Sequence, residues 1–273
     1  MPTAEDLQAV AVEIAREAGE LARRRRSEGV EIAATKSAVA DIVTEADREV
    51  EALIRARLTE ARPGDGFLGE ESGATAQLAE GRETDITWVV DPIDGTVNYA
   101  YGIPSYAVSI AAVTGKPDPE QWEALAAAVF NPMSGELFRA ARGSGAWLDG
   151  SRLAVNAEPS PAGALLATGF GYDPATHEGD LARIARVMPL ARDLRRIGAA
   201  SLDLAFVAAG RLDGYFERGL QPWDHAAGAL LVTEAGGIVG GGGAGRTATS
   251  VLTVAAGPGL FEALFDAAVG TAS

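Results

Sequence analysis

Over 273 residues with 47% hydrophobic and 22% charged side chains, the chain can build one large or two intimately packed globular domains, and no low-complexity linker divides it. A formal net charge of -15 argues against a nucleic-acid-binding surface, and no apolar run reaches membrane-spanning length. Zero cysteines exclude disulfides and thiolate metal sites; with an N-terminus lacking a basic and then apolar leader, this predicts a cytoplasmic protein.

Taken in chain order, Leu7, Val10, Ile14, Ala18 and Leu21 recur at helical steps behind a Thr3/Asp6 capping box. Arg23 to Arg26 fall at the C-terminal end of that helix, where the dipole favours cations, and read as solvated helix-end charge. A second amphipathic helix carries Val50, Leu53, Ile54 and Leu58, with Thr44 and Asp47 again at capping-box spacing; on spacing alone Asp47 is as readily a cap as a functional acid. Phe67-Leu68-Gly69-Glu70 switches abruptly from apolar to acidic, as at a strand end that presents Glu70 into a cleft.

Ile86 to Val90 read as a strand, and because Pro92 cannot donate to a ladder, the chain is expected to leave the sheet just after Asp91, placing Asp91 and Asp94 on one turn. Gly95 and Thr96 follow, where a short side chain lets backbone N–H groups approach an anion. Ser105 to Val113 alternate, with Tyr106, Val108 and Ile110 on one face, and the breakers after Gly115, Asn131, Arg142 and Asp149 space the short runs of an antiparallel meander. Leu165 to Thr168 predict a strand, Leu181 to Leu190 and Ser201 to Ala209 helices, and Leu212 to Glu217 a strand. A helix then runs from Trp223 to the Gly236-Gly237 pair, with Asp224 as an N-cap at its positive end. Gly240 to Gly245 satisfy G-x-G-x-x-G but open no helix, and are expected to form a flexible loop before a strand over Ser250 to Ala256 and a helix over Pro258 to Val269.

Asp47, Glu70, Asp91, Asp94 and Asp224 thus each sit at the edge of a regular element. Crowded carboxylates repel and take up protons unless a cation neutralises them, and hard oxygen donors without His or Cys point to Mg²⁺ or Mn²⁺. His177 and His225 are the only imidazoles, and His225 reads as an ordinary helix residue.

Gly69-Glu70-Glu71, Trp88-Val-Val-Asp91-Pro-Ile-Asp94-Gly95-Thr96-Val-Asn98 and Trp223-Asp224-His-Ala-Ala-Gly-Ala-Leu-Leu-Val-Thr-Glu-Ala-Gly-Gly237 resemble the signatures of the inositol monophosphatase family. Lys36, Asp41 to Asp47, Arg196 to Ser201 and Gly210 to Glu217 extend that resemblance over nearly the whole chain. It implies an α/β (α+β) fold, a layered αβαβα sandwich of the inositol monophosphatase and fructose-1,6-bisphosphatase type. One unit would span residues 1–273, with an N-terminal part to about 150 and a C-terminal part from about 151.

The resemblance further implies a Mg²⁺-dependent, lithium-inhibited phosphomonoesterase, dimeric, acting on a small phosphorylated polyol, with no nucleic-acid or membrane partner. By the same resemblance Glu70, Asp91, Asp94, Asp224 and the Ile93 carbonyl hold two or three Mg²⁺ ions. Gly95 and Thr96 hold phosphate, Asp94 and Asp224 border the substrate, and Asp47, Glu70 and Thr96 activate the attacking water. Ala200 and Glu217 line the pocket for the alcohol. Gly169-Phe-Gly-Tyr172 departs from the small polar residue of many relatives. The spacing of Asp91 and Asp94 differs from the Asp-x-Asp of phosphatases that form an aspartyl-phosphate, so the expected reaction is direct attack by water on inositol 1-phosphate, with cations polarising the ester and acidifying the water. Histidinol phosphate, fructose 1,6-bisphosphate and a 3′-phosphonucleotide keep the same site and change the alcohol; a metal-binding regulatory protein is the competing class. Glu217 is expected to face ring hydroxyls, the alternative being a strand-end acid paired with Arg218 or solvent.

Overall fold

The computed structural model describes residues 2–29, 32–35, 42–74, 84–243 and 246–270, so Lys36 and Asp41 lie outside the described residues. Helix α1 (Ala4–Glu28) starts at the Thr3/Asp6 capping box and buries Leu7, Ala11, Ile14, Ala18 and Leu21 along one stripe. A short antiparallel pair, β1 (Ile32–Thr35) and β2 (Ile42–Thr44), leads into α2 (Glu45–Ala61), which is closed at its start by the Thr44/Asp47 capping box. The apolar stripes of both helices, including Val50, Ile54 and Leu58, cover one face of the first sheet.

That sheet has eight strands. In chain order they are β3 (Gly66–Gly69), β4 (Gly73–Ala74), β5 (Ile86–Asp94), β6 (Ala107–Gly115), β7 (Trp122–Phe130), β8 (Leu137–Ala141), β9 (Gly145–Leu148) and β10 (Ser151–Arg152), with the short helix α3 (Thr96–Tyr101) between β5 and β6. The spatial order is β10-β9-β8-β7-β6-β5-β3-β4. The predicted meander is its antiparallel run from β6 to β10; β3 and β5 lie parallel.

The expected exit of the chain after Asp91 does not occur. Asp91 pairs with Ser109 and Asp94 with Ala107, so Pro92 and Ile93 together oppose one residue of β6. This β-bulge accommodates the proline, because the extra residue is left out of the ladder and its missing N–H costs no bond. It also resets the side-chain alternation. Residues three apart point to opposite faces of a regular strand, whereas across this bulge Asp91 and Asp94 share the face of their partners Ser109 and Ala107.

A second sheet is built from β11 (Ala164–Thr168), β12 (Ala191–Arg195), β13 (Gly214–Glu217), β14 (Ile238–Gly241) and β15 (Thr253–Ala256), in the order β12-β11-β13-β15-β14. Helix α4 (His177–Val187) precedes β12, α5 (Ala200–Ala208) and α6 (Pro222–Glu234) flank β13, and α7 (Pro258–Val269) ends the described chain. Leu204, Val207, Leu230 and Leu231 of α5 and α6 pack between the sheets, against Ala111 and Val129 on one side and Ala167 and Tyr215 on the other. Val187 and Leu264, from α4 and α7, cover the outer face with Leu166 and Phe216. The molecule is therefore the layered αβαβα sandwich: α1/α2, the eight-stranded sheet, α5/α6, the five-stranded sheet, α4/α7.

Two segments differ from expectation. Gly240 and Gly241, expected in a flexible loop, extend β14 opposite Val254 and Thr253. A β-carbon at Gly241 would collide with the Leu252 carbonyl, so the glycine serves close strand approach. The edge strand β12 has no counterpart in the sequence reading.

Candidate active site

In each sheet, parallel strands end side by side, and the site lies at those ends. Gly69 pairs with Val90, and Glu70 N donates to Val90 O at 3.1 Å, which sets Glu70 beside Asp91. In the second sheet β12, β11 and β13 run parallel; Arg196 and Gly169 directly follow the first two, and Glu217 ends the third. Helix α6 brings in Asp224, close to β6 through Ser109 Oγ, which donates to Trp223 O at 3.5 Å. Glu70, Asp91, Ile93, Asp94, Gly95, Thr96, Ala200, Glu217 and Asp224 all line one pocket of about 450 Å³. Of the expected site residues Asp47 alone stands behind that wall, and it connects to the pocket through Thr96.

The backbone fixes each acid. Asp94 accepts from Ser201 N at 2.7 Å, Ser201 Oγ at 2.5 Å and Ala200 N at 3.2 Å, so it closes the start of α5 from the neighbouring layer. Asp91 Oδ1 accepts from Ile93 N across the bulge at 3.1 Å. Asp224 is not the N-cap expected from the sequence: Gln221 takes that position, and Asp224, at the third residue of α6, accepts from Gln221 N at 2.7 Å. Pro222 at the first helical position shifts the boundary toward the N-terminus.

Asp47 is a cap, as its spacing allowed, and it also reaches Thr96. Its Oδ2 accepts from Thr44 N at 2.7 Å and Thr44 Oγ1 at 2.5 Å, while Oδ1 lies 3.2 Å from Thr96 Oγ1. The Thr96 hydroxyl also lies 3.1 Å from Ile93 O, and with one proton it donates to one of the two at a time. Gly95 precedes α3 at φ +94°, and a β-carbon there would press on Ser105 O and Gly198 O at 3.0 and 3.1 Å.

Burial pushes the carboxyls of Asp91 and Asp224 well above the usual range, and Glu70 and Asp94 add repulsion to each. Asp94 is raised to about 6 by burial, against the pull of its Ser201 hydrogen bonds, and Asp47 to about 7, against that of Thr44. Among the described residues the acids do not close into a ready-made ion cage as the side chains stand; they face a common pocket. The donor set fits a hard divalent cation all the same. It is all carboxylate, and its members drive one another toward protonation, which a cation would reverse.

Glu217 is paired neither with Arg218 nor with solvent alone. Its Oε2 accepts from the buried Tyr215 hydroxyl at 2.5 Å, whereas Arg218 pairs with Asp180. Burial raises Glu217 to about 7, with the Tyr215 bond opposing. Gly169, unexplained in sequence, now has a physical reason: a β-carbon there would run into the Glu217 carboxylate. Sequence reasoning also missed Ser201 and the buried Asp203, whose Oδ1 has no partner among the described residues. Burial, then Glu217 and Asp94, holds the Asp203 carboxyl well above its usual range. The signal was present, since Leu202-Asp203-Leu204 sets an acid inside an apolar helix. His225 lies within α6 as expected; it is also buried, and burial holds its pKa at about 4.

A layered αβαβα sandwich whose buried acids gather where parallel strands end is the architecture of a class of phosphatases that are generally metal-dependent. The chain belongs to the inositol monophosphatase family, whose profile matches residues 3–269. It is 44% identical to the inositol-1-monophosphatase SuhB of Mycobacterium tuberculosis over 96% of this chain and 92% of that protein. It is 41% identical to the Nus factor SuhB of Escherichia coli K12 over 84% of this chain and 83% of that protein. The crystal structure of the extragenic suppressor protein suhB from Bartonella henselae superposes with a TM-score of 0.82 at 38% identity, covering 95% of this chain and 97% of that one. Among the described residues no helix is long and apolar enough to cross a membrane.

Proposed function

We propose that the chain is a Mg²⁺-dependent phosphomonoesterase that hydrolyses inositol 1-phosphate to myo-inositol and phosphate. The observation that carries this reading is the convergence of Glu70, Asp91, Asp94 and Asp224 on one pocket, backed by the Asp47–Thr96 pair. Mg²⁺ or Mn²⁺ held by those four acids and the Ile93 carbonyl would neutralise their charge, polarise the phosphoryl group and acidify water. Gly95 and Thr96 offer backbone N–H groups and a hydroxyl to the phosphate oxygens.

Water adds to phosphorus, the ester P–O bond breaks, and the departing alkoxide takes up a proton. When Thr96 Oγ1 donates to Asp47 Oδ1, its lone pairs can accept from the attacking water, and Asp47, raised to about 7, is matched to receive that proton near neutral pH. No side chain serves as nucleophile, so a chiral phosphate ester is hydrolysed with inversion and no phosphoenzyme accumulates. Glu217 accepts hydrogen bonds from the ring hydroxyls, and Ala200 lines the same wall.

The test is release of phosphate from a panel of phosphomonoesters, first with Mg²⁺ and then with chelator. Turnover of inositol 1-phosphate that chelator abolishes is expected. Zero turnover on every ester would instead favour a regulatory role, of the kind the name Nus factor carries for the Escherichia coli relative.

A further inference from the structure

One buried carboxylate of α2 takes no part in the proposed reaction. Asp47, Glu51 and Arg55 follow one another at four-residue steps, so they stand on one face of the helix. Asp47 reaches Thr96, while Glu51, only 4% exposed, and Arg55 reach the chain just beyond β3. Glu51 Oε2 accepts from Glu71 N at 2.8 Å. Arg55 Nη2 donates to Ser72 Oγ and lies 3.8 Å from Glu51 Oε1, and the guanidinium carbon stands 4.5 Å over the Phe67 ring.

This grip falls on the segment that carries Glu70. Strand β3 has the nine-residue β5 on one side and only the two-residue β4 on the other, so few ladder bonds hold its outer side. Glu70 N bonds to Val90 O at 3.1 Å and Glu71 N to Glu51, so the peptide groups on both sides of the Glu70 α-carbon are anchored, one to the sheet and the other to the helix. The Glu70 carboxylate therefore leaves the backbone from a fixed point beside Asp91. Gly69 belongs to the same arrangement: a β-carbon there would collide with Glu51 Oε2, so the missing side chain lets the carboxylate in. Burying a carboxylate is unfavourable where packing is the only need, and the Glu71 amide is the donor that gives this one a purpose.

We propose that Glu51 is a positioning residue for the phosphomonoesterase: through the Glu71 amide it sets the backbone of Glu70, and so the approach of the Glu70 carboxylate to the divalent cation. This rests on the phosphomonoesterase reading and adds to it a residue that does not line the pocket. Helix α2 then carries, one turn apart, the proton acceptor Asp47 and the anchor of a cation ligand.

The test is calorimetric titration of the wild type and three variants with Mg²⁺, with Tm recorded without Mg²⁺ and phosphate release from inositol 1-phosphate followed in parallel. Glu51→Gln keeps an oxygen for Glu71 N and loses the ion pair with Arg55; Mg²⁺ affinity and kcat should stay within about threefold of wild type. Glu51→Met fills the space without an acceptor, and Glu51→Asp keeps the charge but is one methylene too short. Each should weaken Mg²⁺ binding about ten- to a hundredfold, with a smaller fall in kcat at saturating Mg²⁺. Wild-type affinity in Glu51→Met and Glu51→Asp would contradict the positioning role, and Glu51→Asp decides alone if Glu51→Met does not fold. Binding as weak in Glu51→Gln as in Glu51→Met would also contradict it, because the charge beside Arg55 would then be what matters. Those outcomes leave wild-type turnover, and with it the phosphomonoesterase reading, intact. Absence of Mg²⁺-dependent turnover by the wild type on any ester would contradict both.

Discussion

The eight-stranded sheet and the five-stranded sheet supply opposite kinds of surface to the same pocket. The first contributes Glu70, Asp91, Asp94 and Thr96, and its acids are held mainly by backbone groups, the β5 bulge, the Glu70 to Val90 bond and the start of α5, with the Ser201 hydroxyl joining at Asp94. The second contributes Glu217, Arg196 and Arg218, and of these Glu217 and Arg218 are fixed by side chains, the Tyr215 hydroxyl and the Asp180 carboxylate. For the proposed reaction the difference separates two tasks. Groups tied to backbone on one sheet suit the bond-breaking chemistry common to every ester, while groups tied to side chains on the other can change with the alcohol.

The comparison breaks most visibly at Asp94. Asp94→Asn keeps the shape and, with its amide oxygen toward Ser201, that acceptor, but it removes a charge and sets an NH2 against Ala200 N–H, so kcat should fall about a hundred- to a thousandfold on every ester with only a modest fall in Tm. Near-normal rates at saturating Mg²⁺ would end the assignment of chemistry to the first sheet. Thr96→Ala should lower kcat about ten- to a hundredfold, and more than it raises KM, since holding the water acts mainly in the transition state. Steady-state kinetics with inositol 1-phosphate separates the two parameters.

On the second sheet the effects should depend on the alcohol. Losing a charge-assisted hydrogen bond costs about 1.5–3 kcal/mol, so Glu217→Ala should cut kcat/KM for inositol 1-phosphate about ten- to a hundredfold, and that for p-nitrophenyl phosphate far less. Equal losses on both would show that Glu217 serves the first sheet's chemistry or the fold. Gly169→Ala sharpens the point. The added methyl displaces the Glu217 carboxylate without removing it, and a smaller loss of about three- to tenfold, again selective for the polyol ester, is expected.

The starts of the two N-terminal helices and the meander were legible because capping and period are local signals, Thr3/Asp6 and Thr44/Asp47 marking both helices, whereas the helix expected over Leu181 to Leu190 runs from His177 to Val187. The bulge at Pro92-Ile93 was not, since a two-residue alternation carries no sign of an inserted residue. Strand β12 escaped because it is an edge strand with Arg192, Asp193 and Arg195 exposed, so no apolar alternation announces it. In the site, Asp47 could be read as a cap from its spacing to Thr44, but its contact with Thr96, forty-nine positions away, is tertiary. Gly169 and Tyr215 acquire their meaning only once parallel β11 and β13 place them around Glu217.

In the proposed reaction the buried acids on the first sheet and α6 form a cation site. Asp94 is raised to about 6, and Asp91 and Asp224 are raised further above the usual carboxylate range. Between the ordinary carboxylate pKa and these raised values the folded protein therefore holds protons that the unfolded chain has lost, and without a cation its stability declines as pH rises through them. A divalent ion must displace those protons to bind. Calorimetric titration of the protein with Mg²⁺ at about pH 6, in two buffers of different ionisation enthalpy, counts the protons directly. Net proton release that is reduced in Asp94→Asn is the predicted result; Mg²⁺ binding with the same heat in both buffers, or no binding at millimolar Mg²⁺, would contradict it.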